Sequence, residues 1–104
     1  MIPNRFSTLV VPGVGNSGAE HWQTLWDRQD ADARRIAVSD WDRPNCETWV
    51  EAIDDAVLTM GDSVVIVAHS LGCLAVVHWA ARHPRRLHAA LLVAVPDPAG
   101  PAFF

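Results

Sequence analysis

Apolar and polar positions along this chain follow two periods in turn. Short, mostly apolar runs occupy residues 6–11, 64–68 and 87–95 and read as strands, and residues 34–38 read as a short second strand between them. The stretches between them carry apolar residues at helical spacing. The first predicts a helix over residues 19–28, with Trp22, Leu25 and Trp26 on its apolar face. Ser17-Gly18-Ala19-Glu20 before it matches a capping box, the serine as cap and the glutamate three on. The second helix starts at a capping Asn45 and runs to about Met60. Its inner face is Trp49, Ile53, Ala56, Val57 and Met60, while Glu47, Glu51, Asp54 and Asp55 point outward. Gly61 suits the position just past its end. The third follows residue 70, with Ala75, Val76, Trp79 and Ala80 inward, and His83-Pro84 stops it. Pro96-Asp97-Pro98-Ala99-Gly100-Pro101 then breaks regular structure.

The order β-α-β-α-β-α-β implies an α/β fold: a parallel four-stranded sheet with helices on both faces, a three-layer αβα arrangement. The 104 residues suffice for one domain, residues 1–104. In such sheets ligands bind at the carboxyl ends of the strands, near the point where strand order reverses. The loop after the first strand and the turn after the third both lie on that edge.

That turn carries the candidate chemistry. Ala68-His69-Ser70-Leu71-Gly72 joins a buried strand to a helix. It has the layout of a nucleophile elbow, with alanine at the first of the two small positions flanking the serine. Ala68 and Gly72 are nearly without side chain, as needed where a tight corner folds them together. A serine hydroxyl attacks a carbonyl only when a base takes its proton and donors hold the resulting oxyanion. The N–H of Leu71, at the helix start, is one donor. The glycine-rich loop Pro12-Gly13-Val14-Gly15-Asn16 supplies the other, Val14 first and Gly15 as the fallback. Gly13, Gly15 and His69 are expected to line the substrate. The same loop lacks the Gly-Lys-Ser/Thr ending of a P-loop and does not match Gly-x-Gly-x-x-Gly, which argues against a phosphate cradle.

The base is harder to find. In this architecture the order is serine, then acid, then histidine. After Ser70 come His78, His83 and His88, and one acid, Asp97, with no histidine beyond it. His78 and His83 lie along or at the far end of the third helix, and His88 at the opposite sheet edge. His21 is read as structural, bonding the loop backbone.

Composition narrows the setting. Half the residues are apolar and the net charge is −4, with Arg34-Arg35 and Arg85-Arg86 as isolated, solvated pairs, so no nucleic acid is expected. No apolar run reaches the roughly 20 residues that span a bilayer. The amino-terminal apolar run is too short for a signal peptide, which makes a cytoplasmic setting the expectation. Cys46 and Cys73 have no metal-like spacing and are expected to be free thiols. No metal and no cofactor are expected.

Several segments together resemble the small serine hydrolases related to the retinoblastoma-binding serine hydrolase. They are 11–18 with His21-Trp22-Gln23-Thr24-Leu25-Trp26, then Asp40-Trp41-Asp42-Arg43-Pro44 with Trp49-Val50. Residues 67–73 and Ala89-Ala90-Leu91-Leu92-Val93-Ala94 complete the set, in the family's order. The resemblance implies a partial α/β-hydrolase fold and esterase-type activity on small carboxyl esters. It implies Ser70 as nucleophile and Leu71 with Val14 as oxyanion hole. The family's acid and histidine lie after two further strands, so the likeness covers the amino-terminal half only. The chain is then either part of a longer hydrolase or a non-catalytic binding module. A sheet ending at the fourth strand leaves an apolar edge open to a second copy, and leaves Trp22 and Trp26 partly bare.

Overall fold

Strands and helices alternate as β1 (Ser7–Val11), α1 (Trp22–Gln29), β2 (Arg34–Arg35), α2 (Cys46–Met60), β3 (Val64–His69), α3 (Leu71–Arg82) and β4 (Ala89–Val93). These come from a computed structural model, which describes residues 6–16, 18, 21–29, 33–61, 63–83 and 87–97. The expected capping box, most of the polar end after β4, Pro84 and the Arg85-Arg86 pair lie outside the described residues.

All strand pairs are parallel, in the order β2-β1-β3-β4. The chain steps outward from β1 to β2, then returns across β1 to β3 and on to β4. Right-handed crossovers therefore put α1 on one face and α2 and α3 on the other. Consistent with this, α2 packs against α3. The reversal falls between β1 and β3, so their following loops meet at the carboxyl edge of the sheet.

Alternation along the strands divides the sheet residues between two faces. Leu9, Val11, Val64, Ile66 and Ala68 join Trp49, Val50, Ile53 and Val57 of α2 and Leu71, Cys73, Ala75, Val76 and Trp79 of α3 in one core. Each large side chain buried there contributes roughly 1.5–3 kcal/mol. The opposite face holds Val10 and Val67, both fully buried. At the start of α2, Asn45 Oδ1 accepts from the Thr48 N–H at 3.1 Å, as expected of a cap. At its end Gly61 takes φ +95° and donates to Val57 O.

Several expectations need correction. Asp54 does not point outward: it is buried, and its Oδ1 accepts from Trp79 Nε1 at 3.1 Å. Helical spacing leaves Asp54 beside Ile53 on the inner face, where the α3 indole needs an acceptor. Ala80 is exposed. On α1 Gln23 is fully buried, while Leu25 and Trp26 are exposed and Trp22 half-buried. The Gln23 amide donates to Val11 O at 3.2 Å and to Val67 O at 2.9 Å, satisfying the carbonyl that ends β1 and one near the end of β3. α1 thus docks through a polar anchor. The second strand is two residues long instead of five; beyond it Ile36 still donates to Val10 O and is buried. β4 is shorter than the apolar run 87–95, and Ala94 leaves the ladder at φ +57°. Four of its five residues are exposed, Leu91 and Leu92 among them.

Candidate active site

Ser70 sits between the last residue of β3 and the first of α3, at φ +54° and ψ −124°. A non-glycine residue held there costs on the order of 1–3 kcal/mol, and persists only where the surroundings fix it. The surroundings do. The Ser70 N–H donates to Val93 O at 2.9 Å, and Ser70 O accepts from the Cys73 N–H at 2.9 Å. The Cys73 thiol also donates to Val93 O, at 3.4 Å. Burial pushes that thiol's pKa up, so it stays the protonated donor.

Two small positions let the corner close. A Cβ on Gly72 would lie 2.4 Å from Val11 O and 2.5 Å from Pro12 O. Only a glycine lets α3 begin against the end of β1. A Cβ on Gly13 would stand 3.2 Å from Ser70 Cβ and 3.6 Å from Ser70 Oγ. The serine side chain therefore lies directly over the loop that follows β1.

A cavity of about 310 Å³ opens at this junction. Gly13, Val14, His69, Ser70 and Leu71 line it, five of the six residues singled out in the sequence. Gly15 is set apart. It turns the loop at φ +77° and its N–H is taken by Trp41 O at 2.9 Å, so it has no donor left for the cavity. Among the described residues no acceptor takes the N–H of Val14 or of Leu71.

Asn16 and His21 also line the cavity, and the sequence reading gave neither a place in it. Asn16 holds φ +66° and accepts at Oδ1 from Arg35 Nη1 at 2.6 Å. Arg35 Nη2 donates to Thr24 Oγ1 at 3.1 Å, so this guanidinium ties the loop to α1 and β2. Arg35 is thus half-buried and partnered, not part of a solvated pair. No local signal joins residues so far apart in the chain. His21 precedes α1 and caps it: Nδ1 accepts from the Gln23 N–H at 3.2 Å, while its own N–H donates to Gly18 O. Its ring meets the His69 ring edge-on at 4.6 Å between centroids. Burial, and then the neighbouring His69 and Arg35, lower the His21 pKa. The motif His21-Trp22-Gln23 was the available signal, but nothing in it tells a cap from a cavity wall.

The remaining histidines stand away from Ser70. His78 is exposed on α3. His83, past the far end of α3, lies 3.7 Å from Asp54. His88 stacks on Phe6 and donates its N–H to Val64 O at the opposite edge, a strand length of roughly 20 Å from the serine. Asp97 is exposed beyond β4. No carboxylate is among the described residues that line the cavity. The described residues hold no cluster of three or more His, Cys, Asp or Glu fit for a metal, and no helix long and apolar enough to cross a membrane.

Comparison with known proteins agrees with this geometry. A model of the family described as serine hydrolase matches residues 8–102. No curated protein matches the chain. Among solved structures, a YdeN-like hydrolase from Pectobacterium atrosepticum superposes with a TM-score of 0.84 at 30% identity, over 89% of this chain and 50% of that one. The chain spans about half the length of that relative. With a strained serine at a strand–helix corner, a partial α/β-hydrolase fold and a family match over nearly its whole length, the chain belongs to the serine hydrolase family.

Proposed function

We propose that the chain is the nucleophile-bearing half of a carboxyl-ester hydrolase. Ser70 Oγ attacks the ester carbonyl carbon and passes its proton to a base. The N–H groups of Leu71 and Val14 receive the oxyanion, the alcohol leaves with a proton, and water releases the acid from the acyl-serine. The base and its carboxylate come from polypeptide beyond these 104 residues, in keeping with a relative of twice the length. The observation that carries this reading is the Ser70 corner, packed over Gly13 and beside two donors with no other acceptor among the described residues.

Likeness of the segments at 11–18, 21–26, 40–44 and 67–73 to the retinoblastoma-binding branch supports small esters as substrates. Two free cysteines fit a reducing, cytoplasmic setting. The bare β4 edge supports pairing with a second copy. A fluorophosphonate probe tests the chemistry: with the polypeptide that supplies the base present, it should label Ser70 and leave the Ser70→Ala variant unmarked, and the 104 residues alone should label far more slowly. Among the described residues no carboxylate lines the cavity, which favours a second reading, a binding module without turnover, and absence of labelling even with the longer polypeptide present would select it.

A further inference from the structure

His21 touches the proposed ester site without a part in the attack, and its chemistry is fixed by its backbone. In a neutral imidazole one ring nitrogen is a donor and the other an acceptor. Nδ1 of His21 accepts the Gln23 N–H, so the ring proton is on Nε2. That tautomer cannot take a proton from Ser70 through Nε2, and Nδ1 is already occupied. His21 is therefore excluded as the missing base, although it lines the same cavity as the serine.

We infer that His21 is a specificity-determining residue whose Nε2–H donates to an oxygen acceptor on the bound ester, away from the carbonyl under attack. The inference rests on the ester-hydrolase reading of Ser70. Of the other lining residues, Gly13, Val14 and Leu71 offer a ligand no side-chain hydrogen bond, Asn16 Oδ1 is already taken by Arg35, and His69 meets the His21 ring edge-on. A neutral donor among them selects substrates with a second oxygen, such as an ether or carbonyl in the acyl or alcohol part. The ring is held in place twice, by the helix-capping bond and by its edge contact with His69. Burial, and then the neighbouring His69 and Arg35, lower its pKa and favour the neutral ring, so it remains a donor of this single kind.

The test separates this role from capping. Asparagine caps helices as well as any residue, so His21→Asn keeps the bond to Gln23 N–H while withdrawing the longer-reaching donor. Nitrogen-15 NMR of the imidazoles in the full chain should show His21 protonated at Nε2. Methyl 3-methoxypropanoate should shift that nitrogen, in the wild type and in Ser70→Ala alike. His21→Asn should bind this ester about threefold to tenfold more weakly, the value of one neutral hydrogen bond, with binding of methyl pentanoate unchanged. A proton on Nδ1, or equal losses for the two esters, would overturn the inference. Loss of fluorophosphonate labelling at Ser70 with the NMR response intact would instead count against the hydrolase reading alone.

Discussion

Replacing Gly72 by alanine is the sharpest probe of the corner. The new Cβ would fall 2.4 Å and 2.5 Å from two backbone oxygens, those of Val11 and Pro12. A close carbon–oxygen contact is about 3.3 Å, so both overlaps approach an ångström. Neither oxygen belongs to a side chain that can rotate away. The start of α3 must shift from the end of β1, and overpacking of this kind costs about 1–3 kcal/mol or more. Alanine returns up to about 1 kcal/mol through helix propensity. The balance is a loss near 2 kcal/mol, from a domain whose total stability is on the order of 5–15 kcal/mol.

For a domain of this size that loss lowers Tm by roughly 8–16 °C. Fluorescence of the buried Trp49 and Trp79 reports the transition. The same shift moves the Leu71 N–H and Ser70 Oγ off the Val14 loop, and fluorophosphonate labelling should slow by about 10²-fold. Gly61→Ala is the control: it stands at φ +95° and ψ −155° with nothing near its would-be Cβ, so it should cost about 1–3 kcal/mol in backbone strain yet leave labelling unchanged. A Gly72→Ala protein with wild-type Tm and wild-type labelling would refute the account of the corner.

Three further outcomes are expected. Asp54→Ala strands the Trp79 indole N–H in the core and should cost about 1–3 kcal/mol in urea denaturation, whereas Asp54→Asn, which keeps an acceptor, should cost less. His21, with His69 and Arg35 facing it, has its folded pKa lowered, so the unfolded chain binds more protons; its contribution is present above about pH 6.5 and is lost as pH falls below it. His21→Asn should therefore flatten the acid side of the Tm–pH curve, and an unchanged slope would contradict this. Sedimentation at micromolar concentration should show self-association through β4 that Leu91→Lys with Leu92→Lys abolishes; a well-folded wild-type monomer would rule it out.

The parts of the structure that were legible in the sequence are those set by local rules. The cap at Asn45, the glycine past α2, the serine corner and the α2 face of Trp49, Ile53 and Val57 each follow from spacing within one segment. The capping amide, the helix-ending φ and the small residues around Ser70 are all decided within a few positions of each other. Hydrophobic periodicity failed on α1 because it ranks a side chain by its oil–water preference. Gln23 is buried for a different reason: its amide donates to the carbonyls of Val11, the last residue of β1, and of Val67, two before the last residue of β3.

The same cause explains what the sequence could not say about the site. Asn16, Arg35 and Thr24 form one chain of hydrogen bonds across three elements, and no pairwise spacing predicts it. This chain sets the loop that carries Val14, while the Gln23 amide sets the ends of β1 and β3, on which that loop and Ser70 both stand. Ser70 and Val14, the proposed nucleophile and second oxyanion donor, are thus positioned relative to each other by hydrogen-bonded polar side chains, Gln23 fully and the others partly buried, where the rest of the fold is positioned by apolar packing. Such bonds have direction, and a directional tie holds a geometry to tenths of an ångström where packing alone tolerates repacking. An apolar substitution at Gln23 of equal volume should then cost more in labelling rate than in stability, because it frees the corner while leaving the core filled.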